Sequence, residues 1–321
     1  MRPFQHYLDT INQAIAAIPY PAAPSQLYEP IAYHMALGGK RVRPVLTLMA
    51  CEAMGGDAAA AIDAALGIEM FHNFTLLHDD VMDNADVRRG QPTVHRRWND
   101  NTAILSGDTM LTIATQYIAR TRNWAVMDLF NQTAIEIYEG QQWDMDYENR
   151  NDVSVEEYIN MIRLKTSVLL GCALKTGALI AGADAANADL LYQAGVNMGL
   201  AFQLRDDVLD VWGDPATFGK EIGGDIMNNK KTFLLINTML LAHGDDADEL
   251  RHWLNDRFAT RDDKVAGVTR LYERLGVRQL AEDAIASYND QAVAAFDQVN
   301  MPDDDKQAFI QLANRLSGRN Y

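Results

Sequence analysis

Three observations make the sequence that of an all-α protein. Nearly every long segment repeats apolar residues at helical spacing. No series of alternating β-branched runs bounded by turn residues competes with that pattern. Short clusters of Pro and Gly punctuate it at intervals suited to helix ends. With 321 residues, 48% of them hydrophobic, and no low-complexity tract, one continuous globular domain over residues 1–321 is expected.

The first helix is predicted over Phe4–Ile18, closed by Pro19-Tyr20-Pro21. Gln26–Leu37 follows and stops at Gly38-Gly39, where glycine supplies the left-handed conformation common at helix ends. Arg43–Met54 runs to Gly55-Gly56-Asp57, and a long helix is then expected from Ala58 to Asp83. Beyond it the spacing predicts Thr102–Arg120, Ala125–Tyr147, Val155–Ala181 and Asn187–Trp212, with shorter helices after Lys231. Two polar loops interrupt the series. One, Asn84–Pro92, carries Arg88-Arg89-Gly90; the other, Gly213–Lys230, holds four glycines, a proline and two lysines. Each directly follows a cluster of aspartates, which is the reason to look beyond an ordinary solvated connection.

The formal net charge is -16, from 44 acidic against 28 basic side chains, which argues against nucleic-acid binding. Cations are nonetheless concentrated. Of eight lysines, five (Lys40, Lys165, Lys220, Lys230, Lys231) fall in or beside the motifs below. Cys51 and Cys172 lie in apolar helical patterns without CxxC spacing, so they read as reduced core residues. No basic stretch followed by an apolar run opens the chain, and no run approaches the length of about 20 apolar residues a membrane span needs. A cytoplasmic protein without an integral membrane span is expected.

The first cluster reads Asp79-Asp80-Val81-Met82-Asp83, which puts Asp79 and Asp83 one turn apart on one helical face. Like charges on one turn repel, and the C-terminal end of a helix already disfavours anions. A bound cation would resolve the conflict. The same spacing returns in Asp206-Asp207-Val208-Leu209-Asp210, 127 residues further on and again ending an apolar run. One such pentapeptide in so acidic a chain is weak evidence; two at the ends of long helices are not. Facing each other across a bundle they would offer hard oxygen ligands suited to magnesium shared with substrate phosphates. Zinc is disfavoured, because no Cys or His set accompanies them.

With these motifs in view, the chain resembles the trans-isoprenyl diphosphate synthases, the family of farnesyl and geranylgeranyl diphosphate synthases. The resemblance runs from about Ala36 to Lys231. It includes Gly39-Lys40-Arg41-Val42-Arg43-Pro44, His72, the first aspartate motif with Arg88-Arg89-Gly90, and Lys165-Thr166. Phe202-Gln203 before the second motif, then Lys220 and Lys230, complete it. It implies a helical bundle of the isoprenoid synthase type with a central substrate cavity, acting as a homodimer on isopentenyl and allylic diphosphates. It further implies about three magnesium ions, two on Asp79 and Asp83 and one on Asp206, with Asp80, Asp207 and Asp210 orienting ligands and metal-bound waters. Arg88, Lys165 and Lys220 would grip the allylic diphosphate, with Lys230 also in the substrate site. Lys40, Arg43, His72 and Arg89 would hold isopentenyl diphosphate, and Thr166 and Gln203 would stabilise the carbocation.

Bulk on the helix before Asp79 should limit product length. Phe71 lies one turn below Thr75, itself one turn below Asp79, and Phe74 occupies the position five before the first Asp where the family's short-chain members carry an aromatic. A C15 or C20 product is expected, with Phe71, Phe74 and Thr75 as the length-setting residues; simple core packing is the ordinary alternative for both phenylalanines. Two other functions compete. A class I terpene cyclase would lack the Lys40 to Arg43 segment, and a non-catalytic subunit of a heteromeric synthase would lose parts of the aspartate motifs, both of which are complete here.

Overall fold

A computed structural model describes residues 1–214, 222–256 and 260–318. The all-α expectation holds. Among these residues the only strands are two of two residues each, paired as an antiparallel hairpin, and no helix is long and apolar enough to cross a membrane. Contacts divide the chain into two compact units, the first made of residues 1–132, 172–192 and 299–305, the second of 133–171, 193–298 and 306–321.

In the first unit, α1 (Phe4–Ala16), α2 (Ser25–Ala36) and α3 (Val42–Ala53) lead to α4 (Ile62–Met82). The predicted start of α4 at Ala58 is corrected: Ala58–Ala61 forms a 3-10 turn. Asp57 accepts a hydrogen bond from the Ala59 amide at 2.9 Å, which caps the tight turn and delays the α-helix to Ile62. All eight residues from Ala64 to Phe71 are buried, so α4 is enclosed on every side at this level, as its nearly continuous apolar character requires. Beyond α4 come the hairpin β1 (Val87–Arg88) and β2 (Gln91–Pro92), then α5 (Val94–Arg97) and α6 (Asp100–Arg120). Helices α4 and α6 pack at close range. A Cβ on Gly67 would stand 3.0 Å from the Ala114 carbonyl oxygen, and one on Gly107 would overlap the His78 ring.

The helix α7 (Trp124–Glu148) follows, and α8 (Val155–Ile162) begins on a reciprocal cap between Ser154 and Glu157. The single helix expected over Val155–Ala181 is interrupted. Arg163–Ser167 forms one π-helical turn between α8 and α9 (Val168–Ile180), and it contains Lys165 and Thr166. Such bulges occur disproportionately at functional sites because they re-aim side chains within a helix. Glycines sit against the turn: a Cβ on Gly140 would come within 2.3 Å of the Lys165 amide nitrogen, and one on Gly199 within 2.6 Å of Ser167 Cα.

After α10 (Ala185–Trp212) the described chain resumes with α11 (Gly224–Met227), α12 (Phe233–Leu241), α13 (Asp245–Asn255), α14 (Arg261–Arg274), α15 (Val277–Gln298) and α16 (Asp303–Gly318). The core of the second unit gathers Tyr158, Leu204, Val208, Phe233, Tyr272 and Val277. Two of its members, Tyr158 and Phe233, hydrogen-bond the buried Asp207 of the second aspartate motif.

Candidate active site

The first aspartate motif closes α4. Asp83 is the C-cap, its amide donating to the Asp79 carbonyl at 2.8 Å, and Asn84 then takes φ 51° to leave the helix. Asp79 is partly buried, Asp80 buried and Asp83 exposed. Arg88 on β1 clasps Asp80: Nε donates to both carboxylate oxygens at 2.8 and 2.9 Å and Nη2 lies 2.7 Å from Oδ1. Burial pushes the Asp80 carboxyl up, and Arg88 offsets only part of that. The hairpin carrying Arg88 is itself tied down, by Thr93 Oγ1 donating to Ala85 O and Tyr33 OH donating to Pro92 O, both at 2.7 Å.

Arg43, His72 and Arg89 come together with the Gly38 to Arg43 segment. Arg43 Nη1 donates to His72 Nε2 at 3.2 Å. Burial pushes the imidazole well below its ordinary range, and the nearby arginines push the same way, so His72 is a neutral acceptor. Burial also lowers Arg43, to about 10. Arg89, at φ 54°, donates to the Gly38 carbonyl and lays its guanidinium against Gly39, where a Cβ would stand 2.9 Å from Nη2. Lys40 is exposed.

Below Asp79, Phe71 and Phe74 are buried and their ring centroids lie 5.6 Å apart. Phe130 backs Phe71 edge-on at 5.2 Å, and His78 stands 4.8 Å from Phe74. Thr75 is half-buried and spends its hydroxyl on the His72 carbonyl at 2.8 Å. Phe130 had no sequence signal, because it lies 59 residues from Phe71 on another helix.

In the second unit Asp206 is partly buried, while Asp207 and Asp210 are buried. Asp207 Oδ2 accepts from the Tyr158 hydroxyl and, at 3.4 Å, from the Phe233 amide at the start of α12. Burial first, then Asp225, push its carboxyl up to about 8. Asp210 Oδ2 accepts from the Asp225 amide at 3.0 Å, within the first turn of α11. Lys165 projects from the π turn to Asp144 Oδ2 at 2.5 Å, with Lys230 Nζ 3.9 Å from the same oxygen. Burial alone would raise Asp144, but Lys230 and Lys165 outweigh it and hold the carboxyl below its ordinary range. Thr166 Oγ1 donates to Gln203 Oε1 at 3.5 Å, so the two expected dipoles are neighbours. Lys220 lies outside the described residues.

Asp144 escaped sequence reasoning, since it shares an acidic helix end with Asp146 and Glu148 and belongs to no motif. Tyr158 escaped as an apolar-pattern residue.

The carboxylates fit a hard divalent cation. Both motifs offer only oxygen donors, and the C-terminal end of α4 contributes a favourable dipole. Among the described residues no group of three or more Asp, Glu, His or Cys side chains forms a preformed cage. Magnesium does not require one, because it keeps waters and shares its shell with substrate phosphates.

The polyprenyl synthetase family model matches residues 24–271. A geranylgeranyl diphosphate synthase of Methanosarcina mazei is 42% identical over 219 residues, covering 67% of this chain and 68% of that one. The crystal structure of a geranylgeranyl pyrophosphate synthase superposes with TM-score 0.95 at 44% identity and covers 100% of both chains. A geranylgeranyl pyrophosphate synthase from Corynebacterium glutamicum, complexed with isoprenyl diphosphate and magnesium, aligns at TM-score 0.83 and 29% identity over 99% of this chain and 96% of that one.

Proposed function

This chain belongs to the polyprenyl synthetase family, and from that premise we propose the chemistry its own residues perform. It is a short-chain trans-prenyltransferase that joins an allylic diphosphate to isopentenyl diphosphate head to tail and releases diphosphate, with a product of C15 to C20. The relatives named for geranylgeranyl diphosphate support the C20 end of that range. The observation that carries the reading is the company each aspartate motif keeps: cationic side chains suited to a diphosphate stand in the same unit as each motif, and the dipolar Thr166 and Gln203, suited to a carbocation, stand with the second.

Divalent metal use follows from the family; we assign magnesium, about three ions, to Asp79, Asp83 and Asp206. When bound, the metal neutralises charge on the departing diphosphate oxygens. Arg88, Lys165, Lys220 and Lys230 would donate to that diphosphate, so charge developing as the C–O bond breaks would meet positive groups. Lys40, Arg43, neutral His72 and Arg89 hold isopentenyl diphosphate by its phosphates. The Thr166 hydroxyl and the Gln203 carbonyl oxygen present negative dipole ends to the allylic cation. Asp80, Asp207 and Asp210 keep the surrounding loops and ligands oriented. The double bond of isopentenyl diphosphate then attacks C1 of the cation, and the proton released from the new chain passes to the freed diphosphate. Phe71, Phe74 and Thr75 end the space available to the growing tail.

The family match runs unbroken over residues 24–271, which supports one catalytic domain across residues 1–321. Exposed Ile104 and Leu105 on α6 support a homodimer, and two free buried cysteines support a cytoplasmic location.

The test is an assay with isopentenyl diphosphate and each allylic diphosphate, with and without magnesium, followed by chromatography of the dephosphorylated products. Linear C15 to C20 alcohols that require both substrates and the metal are expected. Cyclic hydrocarbon formed from the allylic substrate alone, or no product from the purified chain, would overturn the assignment.

A further inference from the structure

Arg41 stands inside the Gly39 to Pro44 segment, between Lys40 and Arg43, and does something different from both. Its side chain is 3% exposed and turns into the protein, where Nη1 donates to Glu69 Oε1 at 2.5 Å and Nη2 to the Met35 carbonyl at 2.6 Å. Glu69, 2% exposed, is held in turn by Asn73 one helical turn further along α4: Asn73 Nδ2 donates to Glu69 O at 2.8 Å and to Oε1 at 2.9 Å. The backbone of Arg41 has φ 49° and ψ 31°, a left-handed conformation that a side chain with a Cβ avoids unless its surroundings impose it. The Arg41 carbonyl nonetheless accepts from the Val45 amide at 3.2 Å and so opens α3.

The segment is therefore fixed at three places. Arg89 holds the Gly38 carbonyl, Glu69 and Met35 hold Arg41, and His72 meets Arg43. Two of those partners, Glu69 and His72, lie three residues apart on α4, close to one line along the helix that ends in the first aspartate motif. With its charge consumed internally, Arg41 cannot serve a substrate as Lys40 and Arg43 can. Its burial does fix the backbone from which both neighbours project. Released from Glu69, residue 41 would relax toward negative φ, swinging Lys40 and the first turn of α3 away from their present directions.

We propose that Arg41 and Glu69 are positioning residues for the isopentenyl diphosphate site, acting through Lys40 and Arg43 without touching the substrate. This rests on the assignment of Lys40, Arg43, His72 and Arg89 to isopentenyl diphosphate.

The experiment uses the full chain and compares Arg41→Met, Glu69→Met, the Arg41→Met/Glu69→Met double variant and Arg43→Ala. Each single Met variant strands one buried charge and lowers Tm. Removing both partners together leaves no uncompensated charge, so the double variant regains much of that loss. If the pair only stabilises the fold, activity returns with Tm. If it positions the site, the folded double variant keeps a KM for isopentenyl diphosphate raised about tenfold or more, while KM for the allylic diphosphate moves less than about twofold. A double variant with both KM values within about twofold of wild type, or with both raised alike, overturns the proposal. Should that variant not fold, Glu69→Gln keeps the volume and a hydrogen-bond acceptor and reads the same split, with a selective rise of several-fold expected and no rise overturning it. Arg43→Ala separates the two levels of failure. A selective rise in KM there with none in the double variant sinks the positioning role alone, and no rise in Arg43→Ala sinks the substrate assignment and this proposal with it.

Discussion

Asp79-Asp80-Val81-Met82-Asp83 terminates α4, whereas Asp206-Asp207-Val208-Leu209-Asp210 lies inside the last turns of α10, ahead of Trp212. Their middle aspartates meet opposite partners. Asp80 is chelated by an arginine from the following hairpin, and Arg88 remains 26% exposed. Asp207 is buried and bonded to Tyr158 and the Phe233 amide, so its hydrogen-bond partners are neutral. In each pentapeptide the first aspartate is partly buried, while the last is exposed in one and committed to the Asp225 amide in the other. The spacing of carboxylates is thus set by the helix, and the work of each carboxylate by what packs beside it.

The largest expected effect tests what the motifs share. Asp79→Ala and Asp206→Ala should each lower kcat by roughly a thousandfold or more with the fold intact, because each removes a proposed metal ligand and no core packing. Circular dichroism and a magnesium titration accompany the kinetics; near-normal turnover at saturating magnesium would end the metal assignment for that motif.

Only the first motif shares its helix with Phe71 and Phe74. A Phe71→Ala/Phe74→Ala variant should lengthen the products to C25 or beyond, at a stability cost of order 3 to 5 kcal/mol for each fully buried ring. An unchanged product ladder from a folded, active variant would return both rings to ordinary core and place the length limit elsewhere.

The two central aspartates should then separate in stability. Asp80→Ala breaks a clasped ion pair. Because Arg88 can turn toward water, the loss should fall at or below the low end of the roughly 3 to 5 kcal/mol typical of buried pairs. Denaturant unfolding of Asp80→Ala, Arg88→Ala and the Asp80→Ala/Arg88→Ala double variant measures the coupling, and additive losses would show that the clasp contributes nothing.

The smallest effect concerns pH. Asp207 has a folded pKa of about 8 against an ordinary 3.8, so the folded state binds more protons than the unfolded one between those values. Stability from this group is complete below about pH 4 and is lost as pH rises toward about 8. Asp207→Asn preserves an acceptor for Tyr158 and Phe233 and removes the titration. In chelator, its stability should therefore decline less than wild type's from pH 5 to 8, while parallel curves would assign the slope to other groups.

Much of this was legible in the chain itself. Apolar spacing gave the long helices, because one buried face per helix repeats at a fixed period. The paired aspartates stood out because like charges on one turn contradict their local background, whereas the Lys40 to Arg43 segment and Lys165-Thr166 gained meaning only from the family resemblance. What periodicity could not give was the π turn at Arg163–Ser167, since inserting a residue into the hydrogen-bond ladder leaves the apolar pattern on both sides unbroken. Nor could it single out Asp144, whose neighbours in sequence are solvated acids and whose partners Lys165 and Lys230 lie 21 and 86 residues away. Arg41 sits in a recognisable basic run, yet its burial against Glu69 separates its role from that of Lys40 and Arg43. By itself, then, the sequence determined the fold class, the ligand types and their spacing along helices, because those follow from local geometry. Which carboxylate is clasped, which is buried and which arginine turns inward were decided by tertiary structure, because burial and pairing depend on residues distant in the chain.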